Sequence, residues 1–158
     1  MLGLLYYGRL EKEKGFDSLL EAIKILQNDG DELNFEIFIF GKGSLESELL
    51  ELVGKRVHYF GWQSLERIKS YLSNIHYCLM PSEFLETFGL TALNALSRGV
   101  PVIGYRKGGL EPFILSGCNL FGYKGKDTAM RLVSAIKSLA KFSEEELAEK
   151  KENYQKEI

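Results

Sequence analysis

The sequence predicts an α/β fold built on a doubly wound parallel sheet of about six strands, with helices on both of its faces. Short apolar runs rich in β-branched and aromatic residues alternate with segments of helical period, and this alternation repeats five or six times. The runs are largely apolar throughout, as expected for strands that are covered on both faces. Glycines and charged residues concentrate where each run ends, so one edge of the sheet is predicted to carry them.

The predicted strands are the apolar runs, each four to six residues long. A run of this length bounded by turn residues is typical of a buried strand. They are Leu2–Tyr7, Phe35–Phe40, Val57–Phe60, Tyr77–Met80 and Val100–Tyr105, and Leu120–Tyr123 is the candidate for a sixth strand.

Amphipathic segments between these runs predict the helices. The first stripe contains Phe16, Leu19, Leu20, Ile23 and Leu26, the second Leu45, Leu49 and Leu52, and the third Leu65, Ile68 and Leu72. Ser44 and Ser64 stand where the N-caps of the second and third helices belong. Two further helices are predicted over Gly89–Arg98 and Thr128–Ala140.

The end of the chain differs in composition from the rest. Residues 1–140 are predicted to form the sheet domain, and residues 141–158 a C-terminal charged helix. Ser143 and Glu146 have the spacing of a capping box, in which each residue bonds the other's backbone. We expect this helix to be a solvated terminal helix rather than one that docks a partner.

Composition excludes several classes of protein. The 158 residues are enough for about one domain, and the balance of 45% hydrophobic and 27% charged residues is that of a globular one. A net charge of −2 argues against a nucleic-acid binder. Cys78 and Cys118 are too few for a disulfide scaffold and lack metal-site spacing. No apolar run approaches the roughly 20 residues that span a bilayer, so we expect a cytoplasmic protein.

The loops after the predicted strands indicate the ligand site, because ligands of open α/β sheets bind beyond the carboxyl ends of the strands. Glycine lets a backbone approach a ligand closely, and the first N–H groups of the next helix favour anions. Arg9 and Lys14 follow the first strand and add positive charge there. Either cation alone is more often a solvated surface residue. Their shared loop favours a phosphorylated ligand, with a nucleotide as the first candidate.

Other patterns are weaker. Gly41-Lys42-Gly43 resembles the start of a dinucleotide-binding fingerprint, but Glu46 stands where the third glycine belongs, so NAD binding is not expected. Asp29-Gly30-Asp31 could be read as a carboxylate pair for a metal, but it lies at the opposite edge and is typical of a turn. His58 and His76 lie in or beside strands, where a packing role is favoured.

An ordered series of motifs resembles a known family. The series runs from Gly8-Arg9-Leu10 and Lys14-Gly15 through Gly41-Lys42-Gly43-Ser44-Leu45, Phe60-Gly61-Trp62, Pro81–Leu90, Gly99–Gly104 and Gly108–Glu111 to Asn119-Leu120-Phe121. It is similar to the C-terminal, donor-binding domain of group 1 (family-four) retaining glycosyltransferases, which have the two-domain GT-B fold. The resemblance covers residues 1 to about 125 and implies a Rossmann-like domain.

The resemblance implies roles for individual residues. Arg9 and Lys14 would contact the donor diphosphate and act in catalysis, and Glu86 would be the first acid of the family's Glu-x7-Glu motif, at the donor sugar or its phosphates. The implied substrate-binding residues are Gly8, Gly41, Gly43, Trp62, Ser82, Phe88, Gly89, Leu90, Asn94, Gly108, Gly109 and Leu110. The donor would be a UDP-, GDP- or ADP-sugar, and neither a cofactor nor a metal is expected.

Two departures from the family's pattern bear on function. Asn94 stands where the second Glu of the motif belongs, although an amide can still bond ribose hydroxyls. The chain also begins almost on the first strand, so we expect a missing N-terminal domain that holds a carbohydrate or lipid-linked acceptor and through which the enzyme could associate with a membrane surface. The chain alone is then expected to bind nucleotide and to transfer little sugar. The alternatives are a stand-alone nucleotide or nucleotide-sugar binding module, and a related GT-B enzyme such as a nucleotide-sugar epimerase.

Overall fold

The structure is a computed structural model that describes residues 1–29, 33–83, 98–108, 111, 114 and 117–157. Its described strands and helices alternate along the chain, as the sequence predicts. The strands are β1 (Leu2–Tyr7), β2 (Phe35–Phe40), β3 (Val57–Tyr59), β4 (Tyr77–Met80) and β5 (Val102–Gly104). The helices are α1 (Phe16–Asn28), α2 (Glu46–Leu50), α3 (Leu65–Lys69), α4 (Thr128–Leu139) and α5 (Glu144–Glu157).

The described strands form one parallel sheet in the order β3-β2-β1-β4-β5. The predicted doubly wound α/β fold is therefore confirmed. The sixth strand expected at Leu120–Tyr123 is wrong, because Leu120–Gly122 is a turn of 3-10 helix. Asn119 explains the difference: its side-chain oxygen accepts a hydrogen bond from the Phe121 amide at 3.1 Å, and this local bond competes with a strand ladder. A single bridge between Gly104 and Asn119 is the only strand-like pairing of this segment among the described residues.

The two faces of the sheet are covered differently. On one face α1 packs against α4, and the predicted stripe of α1 is buried. On the other face the rings of Phe38, Phe40, Phe60 and Tyr71 form a cluster with centroid separations of 4.9–6.3 Å. Successive side chains of β2 point to opposite faces of the sheet. A strand that is apolar at nearly every position can therefore pack against the helices on one face and contribute to the aromatic cluster on the other.

The predicted helix starts were right at Ser64 and wrong at Ser44. The Ser64 hydroxyl accepts a hydrogen bond from the Arg67 amide at 3.3 Å and caps α3. The N-cap of α2 is Leu45, which makes no side-chain cap bond. Ser44 instead bonds Glu11, a residue of the loop that follows β1.

The C-terminal helix α5 packs back onto the sheet domain. Ser143 and Glu146 form the predicted capping box, with reciprocal hydrogen bonds of 3.2 and 3.1 Å. Leu147 and Tyr154 are buried, with 1% and 4% of their surface exposed. The helix is therefore only partly solvated. Across the described residues, no helix combines the length and the apolar character that crossing a membrane requires.

Candidate functional site

The strand order places a topological switch point at the carboxyl ends of β1 and β4. The chain moves outward from β1 to β2 and β3, and then returns to the other side of β1 to form β4. The loops after β1 and β4 therefore diverge and leave a crevice, which is where ligands of open α/β sheets bind. We refer to residues 8–15 as the β1 loop, residues 41–45 as the β2 loop and residues 81–83 as the β4 loop.

The first half of the β1 loop is bonded to the β2 loop. The Leu10 amide donates to the Lys42 carbonyl oxygen at 3.0 Å, and the Leu45 amide donates to the Leu10 carbonyl oxygen at 3.0 Å. The Gly8 amide donates to the Phe40 carbonyl oxygen at 3.1 Å. Leu10 is fully buried, so this half of the loop is fixed by packing as well as by hydrogen bonds.

The glycines of the β2 loop are explained by the close approach of these two loops. Gly41 has a φ of 143°, and a Cβ placed there would overlap the carbonyl oxygen of Gly8. A Cβ on Gly43 would lie 2.7 Å from the amide nitrogen of Leu10. The missing Cβ atoms at Gly41 and Gly43 thus face a neighbouring backbone, which requires glycine whether or not a ligand is bound.

The second half of the β1 loop contacts the β4 loop. A 3-10 turn over Lys12–Lys14 ends at Gly15, which has a φ of 75°. A Cβ on Gly15 would lie 2.5 Å from the Pro81 carbonyl oxygen. The buried Ser82 hydroxyl donates to the Glu13 carbonyl oxygen at 3.2 Å. The β1 loop therefore spans the switch point, with its two halves held by different neighbours.

The two predicted cations lie in these two halves. Arg9 is exposed and lies in the half bonded to the β2 loop, and its carbonyl oxygen accepts a hydrogen bond from the Tyr6 hydroxyl at 2.5 Å. Lys14 is half-buried and lies beside the contacts to the β4 loop. The structure thus places Arg9 and Lys14 on one anchored loop at the predicted edge of the sheet.

Glu11 and Ser44 form a contact that the sequence did not predict. The Glu11 Oε1 atom accepts from the Ser44 amide at 2.9 Å, and Oε2 accepts from the Ser44 hydroxyl at 2.6 Å. The hydroxyl bond, the amide bond and the positive charge of Arg9, in that order, hold the pKa of Glu11 below its usual value. The residues are 33 positions apart, so no spacing rule could have found the pair.

The loop after β3 extends the site on the β2 side. The Gly41 amide donates to the Gly61 carbonyl oxygen at 2.9 Å, and the Tyr59 hydroxyl donates to the Gly41 carbonyl oxygen at 2.8 Å. Burial and the nearby Glu46 raise the pKa of Tyr59 to about 12, which keeps this hydroxyl a donor at neutral pH. The next residue, Trp62, leaves 70% of its side chain exposed and can offer a ring face to a ligand.

The loop after β5 contacts the β4 loop from the opposite side. The Lys107 Nζ atom donates to the Glu83 carbonyl oxygen and lies 5.5 Å from the centre of the Tyr105 ring. Gly108 is exposed and has a φ of 57°. Lys107 was not predicted as a site residue, although its place between a strand and a glycine pair was a signal that could have found it.

Part of the predicted site lies outside the described residues. The structure does describe Gly8, Arg9, Lys14, Gly41, Gly43, Trp62, Ser82 and Gly108 at the carboxyl edge of the sheet. The predicted residues outside the description are Glu86, Phe88, Gly89, Leu90, Asn94, Gly109 and Leu110.

His58, His76 and Asp29 have structural partners. His58 pairs with Glu36 at 2.8 Å, and His76 accepts a hydrogen bond from the Gly3 amide at 2.9 Å. Asp29 forms an ion pair with Lys137 at 2.5 Å, at the edge away from the site.

The two cysteines are buried thiols of low reactivity. Burial raises the pKa of Cys78 to about 12 and that of Cys118 to about 11, so neither thiol is a nucleophile at neutral pH. Within the described part of the chain, no three His, Cys, Asp or Glu side chains are grouped to hold a metal ion.

Comparisons with known proteins match this fold to one family. The family model for glycosyl transferases group 1 matches residues 3–157. The chain is 34% identical over 117 residues to an uncharacterized 41.2 kDa protein of the cps region of Klebsiella pneumoniae, which covers 73% of this chain and 31% of that protein. It is 25% identical over 160 residues to lipopolysaccharide 1,2-N-acetylglucosaminetransferase of Salmonella typhimurium, covering 93% and 42%. The chain thus spans less than half the length of these curated relatives.

Solved structures share the fold. The C-terminal domain of a group 1 family glycosyl transferase from Francisella tularensis superposes with a TM-score of 0.72 at 21% identity, covering 98% of this chain and 83% of that one. The Anabaena protein HepE in complex with UDP superposes with a TM-score of 0.71 at 17% identity, covering 98% of this chain and 43% of that one.

Proposed function

Because this chain belongs to the group 1 glycosyl transferases, we propose that it is the donor-binding part of such an enzyme. It binds a UDP-, GDP- or ADP-sugar and, together with an acceptor-binding domain, transfers the glycosyl group with retention of configuration. The two halves of the active site then meet in the cleft between the domains.

The anchored β1 loop is the observation that carries this proposal. It holds Arg9 and Lys14 at the switch point and leads directly into α1, a helix of 13 residues that begins at Phe16. The positive end of the α1 dipole therefore faces the same crevice as the two cations. A planar guanidinium, an ammonium and a helix N-terminus together suit a diphosphate better than a neutral ligand.

The ligands of structural neighbours support a uridine nucleotide. HepE has been solved with UDP, with UDP and glucose, and with UDP-glucose. Those complexes share the fold of this chain at 17–19% identity. We therefore place UDP first among the three nucleotides to be tested.

The chemistry follows from the charge that develops during transfer. As the bond between the sugar and the diphosphate breaks, negative charge grows on the leaving phosphate and positive charge on the sugar ring. Arg9 and Lys14 stabilise the first charge, and such preorganised donors supply a large part of enzymatic rate enhancement. Glu86 acts at the sugar or its phosphates, and backbone N–H groups at Gly108, Gly109 and Leu110 bind the sugar and the phosphate. The reaction needs no metal ion.

The remaining predicted residues bind the nucleoside and complete the pocket. The exposed ring of Trp62 and the backbone around Gly43 lie on the β2 side of the β1 loop, where they contact the base. Asn94 bonds the ribose hydroxyls through its amide. Gly8 and Ser82 lie at the crevice, and Phe88, Gly89 and Leu90 are assigned to donor binding.

Thermal unfolding of the chain with UDP, GDP, ADP and their sugars tests the proposal. A ligand present at 100 times its dissociation constant stabilises the folded state by about 2.7 kcal/mol. We expect one nucleoside diphosphate to stabilise the chain while its nucleoside does so far less. Stabilisation by none of the three diphosphates would overturn the proposal.

A transfer assay separates the enzyme from a binding module. The chain alone is expected to bind donor and transfer little sugar, because the acceptor has no place to bind. Efficient transfer by the chain alone contradicts the two-domain part of the proposal. Binding without transfer, even in a protein that includes an acceptor domain, favours a nucleotide-sugar binding module without transferase activity.

A further inference from the structure

The β1 loop carries a carboxylate close to the site proposed for the diphosphate, where a negative charge should weaken binding. Glu11 is two residues from Arg9 in the β1 loop, and the positive charge of Arg9 acts on its carboxyl group. A negative charge near a diphosphate opposes binding, since like charges repel at short range. If Glu11 were only a surface charge, its removal would strengthen diphosphate binding.

The contacts of Glu11 indicate another role. Both carboxylate oxygens accept hydrogen bonds from Ser44, one from its amide and one from its hydroxyl, at 2.9 and 2.6 Å. The carboxylate is thus directed at the β2 loop. Hydrogen bonds to an ionised acceptor are stronger than neutral ones in the same surroundings, and both of these bonds join the β1 loop to the β2 loop.

The Glu11 backbone reaches the other half of the β1 loop. Its carbonyl oxygen accepts from the Lys14 amide at 3.1 Å and from the Phe16 amide at 3.3 Å. The same residue therefore holds the β2 loop through its side chain and holds Lys14 and the start of α1 through its main chain. Displacement of Glu11 would therefore move Lys14 and the start of α1 relative to Arg9.

The contact between the Glu11 carboxylate and Ser44, which we call the clasp, lies just beyond the last main-chain bond between the β1 and β2 loops. Main-chain bonds hold the β1 loop to the β2 loop as far as Leu10. Contacts between the β1 loop and the β4 loop begin at Glu13 and Gly15. Glu11 and Lys12 join these two anchored parts. At this junction the Glu11 side chain makes two hydrogen bonds to the β2 loop.

We propose that Glu11 is a positioning residue for diphosphate binding: its bonds to Ser44 hold Arg9 and Lys14 in the arrangement that receives the two phosphates. This inference rests on the proposed function and adds a residue to it. It assigns a favourable effect to a negative charge in an anion site, which a simple electrostatic description would not.

The test compares two carboxylates of the same loop. Glu11→Ala removes a charge and the clasp, whereas Glu13→Ala removes an equal charge from the same 3-10 turn and leaves the clasp in place. Affinities of the chain are measured by calorimetry for UDP against uridine, GDP against guanosine and ADP against adenosine. The ratio of diphosphate to nucleoside affinity reports on phosphate positioning, because a general loss of folded protein would not change it.

We expect Glu13→Ala to bind the diphosphate as the unaltered chain does or slightly more tightly. We expect Glu11→Ala to bind it about tenfold more weakly, with nucleoside affinity changed less than about twofold, as for the loss of a charge-assisted hydrogen bond. Diphosphate affinity in Glu11→Ala equal to or above that of Glu13→Ala would overturn the inference and leave the proposed function intact. Absence of diphosphate binding by the unaltered chain would overturn both.

Two further variants keep the test decisive if Glu11→Ala folds poorly. Ser44→Ala removes the hydroxyl bond without changing any charge, and it should weaken diphosphate binding by about threefold or more. Its effect should be less than additive with that of Glu11→Ala, because both act on one contact. Glu11→Gln retains an acceptor oxygen for the Ser44 amide and should bind more tightly than Glu11→Ala. Full additivity, or equal affinities of the Gln and Ala variants, contradicts the positioning role.

Discussion

The Nζ atom of Lys151 lies 2.8 Å from the carbonyl oxygen of Ile75. The same ammonium donates to the carbonyl oxygens of Leu72 at 3.0 Å and Ser73 at 3.4 Å, so its three protons match three acceptors. Burial lowers the pKa of Lys151. Leu72 and Ser73 belong to the 3-10 turn before β4 and Ile75 ends that turn, so one side chain of α5 fastens the end of the chain to the segment that leads into β4.

Lys151→Met should lower the free energy of unfolding by about 1–2 kcal/mol, because it removes charge-assisted bonds to partly buried carbonyl groups. Urea unfolding measures the change. Lys156→Met is the matched control in the same helix, since its ion pair with Glu152 at 3.5 Å is exposed and of the kind worth only about 0.3–0.5 kcal/mol. Equal losses in the two variants would contradict an anchoring role for Lys151.

The stability of the chain should depend on His76 below neutral pH. Burial, then the charges of Lys151 and the N-terminal amine, lower the pKa of His76 from its ordinary value of 6.5. Its neutral Nδ1 atom accepts from the Gly3 amide, and protonation destroys that acceptor. The unfolded chain therefore binds the proton at higher pH than the folded chain does, and stability falls as pH drops from about 6.5 to the folded-state pKa.

His76→Asn supplies the comparison for this pH dependence. The amide oxygen of Asn can accept from Gly3 without titrating. We expect unfolding free energies measured from pH 5 to 8 to lose most of their slope below neutral pH in this variant. An unchanged slope would mean that other groups cause the pH dependence.

Alanine substitutions at Gly15 and Gly117 distinguish the stability cost of backbone strain from the cost of disturbing the contact between the β1 and β4 loops. Both have left-handed φ angles, 75° and 89°, but a Cβ on Gly15 would lie 2.5 Å from the Pro81 carbonyl oxygen, whereas one on Gly117 would have no atom of a described residue within 4 Å. Gly117→Ala should cost about 1 kcal/mol from strain alone. Gly15→Ala should cost about 1–3 kcal/mol more, as expected for overpacking. Chemical unfolding of both variants checks the difference, and equal losses would show that the β1 and β4 loops separate without cost.

Arg9→Ala tests the proposed catalytic cation. In the full enzyme it should lower kcat/KM by about 100-fold or more, a loss typical of removing one preorganised donor. In the chain alone it should weaken nucleoside diphosphate binding and leave nucleoside binding nearly unchanged. Arg98→Ala removes the same charge from the opposite edge of the sheet and should have little effect. A decrease in kcat/KM of less than about threefold would refute the role of Arg9.

Much of the fold followed from local patterns. The apolar runs of β1, β2 and β4 match the predicted bounds, and the stripe of α1 is buried as predicted. The prediction was wrong at Leu120–Tyr123, because a run of apolar residues does not reveal that Asn119 will bond the backbone of its own turn. It was wrong at Ser44 because capping rules consider neighbours along the chain, whereas Glu11 reaches that hydroxyl from another loop.

The sequence by itself determined which residues become strands and helices and which edge of the sheet collects glycine and positive charge, since hydrophobic period and turn chemistry act over a few residues. The tertiary structure decided what those edge residues contact. Gly41 meets Gly8, Gly15 meets Pro81 and Glu11 meets Ser44 only because parallel pairing places β1 between β2 and β4. The residues of each pair are 33 to 66 positions apart along the chain, so their contacts depend on the order of the strands in space and cannot be read from local sequence.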